Sequence, residues 1–173
     1  MGDKLSINWR YFSLEQVNSS NGPDWKVWDQ PKDYPSRSLN AFRAAEAARR
    51  QGEAGFPAFH LALIKARHED KEDIAEFSIL ARIAGSVGLE AAQFEKDFND
   101  DSILDRLSED HRNAVESYGT FGTPTLVFPG ELPVFLKMRP PLPEESMAVF
   151  NEVRAVGEGR GNILEMKRPF KRS

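Results

Sequence analysis

The sequence predicts an α/β fold in which an all-helical block interrupts a small set of strands. Three observations carry this. Leu5, Ile7 and Trp9 alternate with Ser6, Asn8 and Arg10, the period of a half-buried strand. Residues 38–117 hold five successive stretches with apolar residues near helical spacing. Thr125-Leu126-Val127-Phe128 is a β-branched and aromatic run, entered through Gly119, Gly122 and Pro124 and closed by Pro129-Gly130.

Length and composition bound the rest. A chain of 173 residues fits one domain with an inserted subdomain. It is long enough to bury about 70% of its unfolded surface. The formal charge of -4 argues against a nucleic-acid partner. No run approaches 18 apolar residues, so no membrane span is expected. Near the start, Asn8 and Arg10 break the apolar run that a signal peptide needs, and the expected location is cytoplasmic. There is no cysteine. Thiol–disulfide exchange needs a thiolate, so these residues alone cannot perform it. Cysteine-based zinc and iron–sulfur sites are excluded as well.

The elements follow in order. Lys4 to Phe12 reads as a strand that turns off at Ser13-Leu14-Glu15. Residues 16–37 are rich in Asn, Ser, Gly and Pro and form a long irregular loop. Its Trp25, Trp28 and Tyr34 are expected to dock on the domain, with a substrate-facing lid as the alternative. Ser38 caps a helix to Arg50, with Arg49 and Arg50 in its last turn. Phe56 to Arg67 is a second helix with Pro57 in its first turn. Asp73 to Val87 is a third, closed by Gly88. Ala91 to Phe98 is a short fourth and Ser102 to Tyr118 a fifth. Past the loop, Pro133 to Leu136 pairs with Thr125 to Phe128 as a hairpin. Pro140 to Pro143 is a stiff linker, and Glu144 to Val156 the last helix. Gly157 to Gly161 reads as a flexible turn, Ile163 to Met166 as a short strand, and Lys167 to Arg172 as a solvated basic tail.

Gly119 and Gly122 are free to take positive φ. Pro124 stands at the first residue of a strand, where a missing N–H is tolerated. Gly122-Thr123-Pro124-Thr125 before Leu126-Val127-Phe128 resembles the cis-proline loop of the thioredoxin superfamily. More narrowly it is similar to the DsbA-like branch, which includes 2-hydroxychromene-2-carboxylate isomerases and FrnE-type oxidoreductases. Trp9-Arg10-Tyr11-Phe12-Ser13-Leu14 resembles that branch's second strand. The likeness runs from Leu5 to about Phe170, and the helices fall where the branch carries its helical insertion.

The resemblance implies an α/β, thioredoxin-like fold with an all-helical insertion. Residues 1–37 and 118–173 form an incomplete core and residues 38–117 the insertion. The branch's first βα unit, which carries its Cys-x-x-Cys or related turn, has no counterpart before Leu5. The resemblance implies a cis Thr123-Pro124 bond and a substrate site at Phe121, Gly122, Thr123 and Pro124. It implies protein-disulfide oxidoreduction as the family's activity, with this chain an N-terminally truncated and redox-inactive member. The alternatives are a cysteine-free peptide-binding or scaffold module, and a fragment of a glutathione-dependent isomerase. The implied partner is a thiol- or disulfide-bearing peptide, or a glutathione-like ligand. No catalytic residue and no cofactor is expected. With the first strand missing, the sheet would leave interior edges unpaired. Either Leu5 to Tyr11 shifts beside Thr125 to Phe128, or a second chain makes an oligomer there.

Other constellations are weak. His60 and His68 lie eight residues apart, too far to share an ion directly, and His111 stands alone. His68 to Asp73 is a charge run of the kind found on solvated helix starts. Gly157, Gly159 and Gly161 have the wrong spacing for a phosphate cradle.

Overall fold

The computed structural model describes residues 5–52 and 54–167. The protein is mostly helical, with one small two-stranded sheet. Among the described residues seven α-helices form: α1 Leu14–Val17, α2 Leu39–Arg50, α3 Gly55–His68, α4 Phe77–Ser86, α5 Ala91–Phe98, α6 Asp105–Tyr118 and α7 Ser146–Gly159. The strands are β1 Thr125–Leu126 and β2 Val134–Phe135. Chain contacts divide the protein into two units. One spans residues 10–112; the other takes the described residues on either side of it.

The helical unit holds the core. α2 is its axis and packs against α3, α4 and α5. Its buried face is built from Leu39, Ala41, Ala44, Ala45, Ala47 and Ala48. Small side chains there let three helices approach one, and alanine adds no rotamer entropy cost. The bulk comes from the neighbours: Phe59, Leu80, Phe94, Ile103 and Leu107 are fully buried. Each such side chain stabilises the fold by about 1.5–3 kcal/mol relative to exposure.

Residues 18–37 dock on this unit rather than standing off as a lid. Val27 is fully buried. Gln16 clamps the loop, donating to the Trp25 carbonyl at 3.0 Å and accepting from the Val27 N–H at 2.8 Å. Trp25, Trp28 and Tyr34 pack on the core. The N-terminal cap of α2 differs from expectation. Ser38 makes no side-chain cap; Ser36 Oγ accepts the Leu39 N–H at 3.0 Å instead.

The predicted strand over Lys4 to Phe12 does not form in its described part. Residues 5–10 are exposed and extended chain begins to bury only at Tyr11. At its end the segment is held by α6 instead. Asp110 Oδ2 accepts the Tyr11 N–H at 3.1 Å and His111 Nδ1 accepts the Ser13 N–H at 3.2 Å. Side chains of a helix thus satisfy backbone donors that a sheet would otherwise take. The expected shift of Leu5 to Tyr11 into the sheet is therefore overturned: among the described residues the sheet contains β1 and β2 only.

In the other unit the hairpin is antiparallel, with Thr125 opposite Phe135 and Leu126 opposite Val134. It is shorter than the two apolar runs suggest. α7 reaches Gly159, so Gly157 lies in a helix rather than a flexible turn. Glycine stands there because a Cβ at Gly157 would run into the Phe128 ring. Ile163 to Met166 is not a strand. α4 starts four residues later than expected, and a 3-10 turn, Asp101–Leu104, precedes α6. Of the basic tail, all but Lys167 lies outside the described residues.

Candidate functional site

The loop from Tyr118 to Thr125 is built by its two ends. α6 closes at Tyr118, and Gly119 takes φ +59, the left-handed cap that glycine adopts without steric cost. The Gly119 N–H then donates to the Val115 carbonyl at 3.0 Å and the Thr120 N–H to the Ala114 carbonyl at 2.9 Å. At the other end the Leu136 N–H donates to the Pro124 carbonyl at 3.0 Å, extending the hairpin ladder by one rung. Thr125 Oγ1 donates to the Gly122 carbonyl at 2.7 Å and pins the turn.

Between these ends the Thr123-Pro124 bond is cis, as the loop's resemblance implies. Gly122 is buried, but its role is not positive φ. A Cβ there would lie 3.0 Å from Phe135 Cε2, so glycine leaves room for that ring. Phe121 stacks at a tilt on Phe135, with centroids 4.9 Å apart. Thr123 and Pro124 are exposed. Among the described residues, neither the Thr123 N–H nor its carbonyl has a hydrogen-bonding partner. The loop thus joins an open backbone amide to an exposed aromatic pair. It supplies no nucleophile, since the chain has no cysteine.

The helical unit carries a second polar feature that the sequence did not reveal. A depression of about 400 Å³ is lined by Arg10, Glu46, Arg50, Arg106, Glu109 and Asp110, among others. Its charges largely answer one another. Arg10 Nη1 lies 2.9 Å from Asp110 Oδ1, and Arg50 Nη1 2.7 Å from Asp100 Oδ2. Arg106 Nε sits 3.7 Å from Asp110 and 4.0 Å from Glu46. The Arg50 hydrogen bond, with help from Ser102, lowers Asp100 to about 2. Tyr11 donates its hydroxyl to Glu46 at 3.1 Å, and burial raises its pKa. Arg49 lies over the Phe56 ring at 3.6 Å. This is an ion-pair network that fixes Arg10 and Tyr11 on α2 and α6, not a set of groups poised for chemistry. No group of three or more Asp, Glu or His side chains among the described residues is placed to hold a metal ion. No helix in them is long and apolar enough to cross a membrane.

Comparison with known proteins bears on the loop. A family model described as a DSBA-like thioredoxin domain matches residues 3–142. The chain is 25% identical, over 168 residues, to the uncharacterized protein Rv2286c of Mycobacterium tuberculosis; this covers 95% of the chain and 70% of that protein. It is 28% identical, over 124 residues, to the ClpXP adapter protein SpxH of Bacillus subtilis, covering 72% of the chain and 40% of that protein.

Proposed function

The chain belongs to the DSBA-like thioredoxin domain family, and we propose that within it these residues act as a cysteine-free binding module for extended peptides. The observation that carries the reading is Thr123: an exposed residue before a cis-proline, with both backbone groups open. An extended peptide meets such an amide by adding main-chain hydrogen bonds, as in strand addition. Phe121, Thr123 and Pro124 form the contact surface, and the buried Gly122 holds the turn between them. The adapter name of the Bacillus subtilis relative supports holding a client over transforming one.

The test is twofold. Amide resonances from Phe121 to Thr125 should move on titration with pools of cysteine-free extended peptides, while insulin reduction stays at the blank. Resonances that hold still at high peptide concentration would sink the proposal. A second reading, thiol–disulfide exchange, is favoured by family membership alone. Its cysteines would come from outside the 173 residues, and reduction of insulin by a longer gene product would support it. Glutathione-dependent isomerisation needs the same outside nucleophile.

A further inference from the structure

We infer that the partner taken by the Thr123-Pro124 loop is an acidic peptide bearing an aromatic or long aliphatic side chain. It would be received by the Phe121–Phe135 ring pair and by Lys137 and Arg139. The inference rests on the peptide-binding reading above and adds the chemistry of the partner.

The apolar half of the argument is the ring pair. Phe121 is 66% exposed and Phe135 39%. Gly122 seats Phe135 against the backbone next to Thr123. An exposed pair of rings beside unpaired main-chain groups offers rigid contact area at low entropic cost, the profile of a binding anchor.

The charged half follows along the chain. Lys137 and Arg139 come two and four residues after Phe135, within at most about 7 and 14 Å of backbone. Both are exposed. Among the described residues neither is held in an ion pair or hydrogen bond. By contrast, Arg10, Arg50, Arg82 and Arg154 each face a carboxylate. The chain as a whole carries -4, yet fields are screened over about 10 Å in ordinary salt, so the local pair governs what approaches these rings. The acidic residues nearest in sequence are Glu131, four before Phe135 across the hairpin turn, and Glu144, five after Arg139. Two cations are too few for a nucleic acid, whose affinity is built from many phosphate contacts.

The experiment uses fluorescence anisotropy with three labelled, cysteine-free peptides. One carries Asp and Glu around a single Phe. The second replaces the acids with Lys. The third keeps the acids and replaces Phe with Ala. The acidic Phe peptide should bind about 10-fold tighter than either of the others. Phe121→Ala, at an exposed position, should weaken it by about 10-fold. Lys137→Glu with Arg139→Glu should reverse the preference toward the basic peptide. Circular dichroism confirms that each variant is folded. Equal binding of acidic and basic peptides overturns the inference and leaves peptide binding standing. So does the Ala peptide binding as tightly as the Phe peptide. Failure of all three peptides, and of random pools, overturns both.

Discussion

The Ser13 N–H donates to Nδ1 of His111 across 3.2 Å, while the His111 ring stacks on Phe12 with centroids 4.7 Å apart. The ring therefore works as a neutral acceptor in a buried place. Protonation would turn Nδ1 into a donor aimed at another donor.

Stability should accordingly fall in mild acid. The ordinary imidazole titrates near 6.5; in the fold, burial lowers His111, and Lys26 lowers it further. Between the two values the unfolded chain holds more protons than the folded one. Stability thus declines as pH falls through 6.5 and on through the lower folded value. His60, lowered by burial and by Arg49, adds to the same slope. In His111→Asn the amide oxygen can take the Ser13 N–H without titrating. Urea melts from pH 8 to pH 5 should show a shallower slope for that variant. An unchanged slope would show that the ring's titration does not limit the fold.

Asp110 should matter more than any exposed ion pair. It is buried and accepts from both Arg10 and the Tyr11 N–H. Asp110→Ala leaves that N–H without a partner, so the expected loss is about 2–3 kcal/mol. Asp110→Asn keeps an acceptor and should cost about half as much. By contrast, Arg154→Ala breaks an exposed i,i+4 pair with Glu158 and should change stability by about 0.5 kcal/mol or less. Chemical denaturation of the three variants checks the order.

Two helical glycines should respond to alanine with opposite signs. Gly85, in α4, has nothing within 4 Å of a built Cβ. Gly85→Ala should stabilise by about 0.5–1 kcal/mol, the ordinary helical gain. Gly157 faces the Phe128 ring, and Gly157→Ala should destabilise by about 1–3 kcal/mol through overpacking. Adding Phe128→Leu should recover part of that loss. Thermal melts that move the same way for both glycines would contradict the packing at Gly157.

Much of the helical block was legible because its apolar spacing is decided locally. Ala91 to Phe98 came out with the bounds its pattern suggests, and α2 and α3 within a residue or so at each end. The hairpin and the cis bond were legible through the Gly122 to Phe128 loop. The N-terminal strand was not. Leu5, Ile7 and Trp9 alternate as a strand should, but alternation states a preference for extended chain and does not name the acceptor. For the amides of Tyr11 and Ser13, where the segment enters the core, the acceptors are Asp110 and His111, about a hundred residues on, in a helix whose sequence marks them as an ordinary polar pair. Gly157 misled for a similar reason: three glycines in five residues suggest a turn, and only Phe128 explains why a helix keeps one of them. The basic pair after β2 needed the structure too, since what marks Lys137 and Arg139 is that they follow an exposed ring pair in the same hairpin, and the exposure of those rings is not written in the sequence.

The tether between α6 and the extended chain also fixes alignment. Ordinary strand pairs are held by many equivalent carbonyls, and slipping one notch exchanges each bond for another like it. Here two unlike acceptors, a carboxylate and an imidazole, meet the amides of Tyr11 and Ser13 only. A slip by one residue would present Arg10 and Phe12 in their stead and turn the buried Tyr11 and Ser13 side chains toward water. Register in this segment is therefore written into two side chains rather than into the backbone, and removing the acceptor from either leaves the chain a single mark to align by.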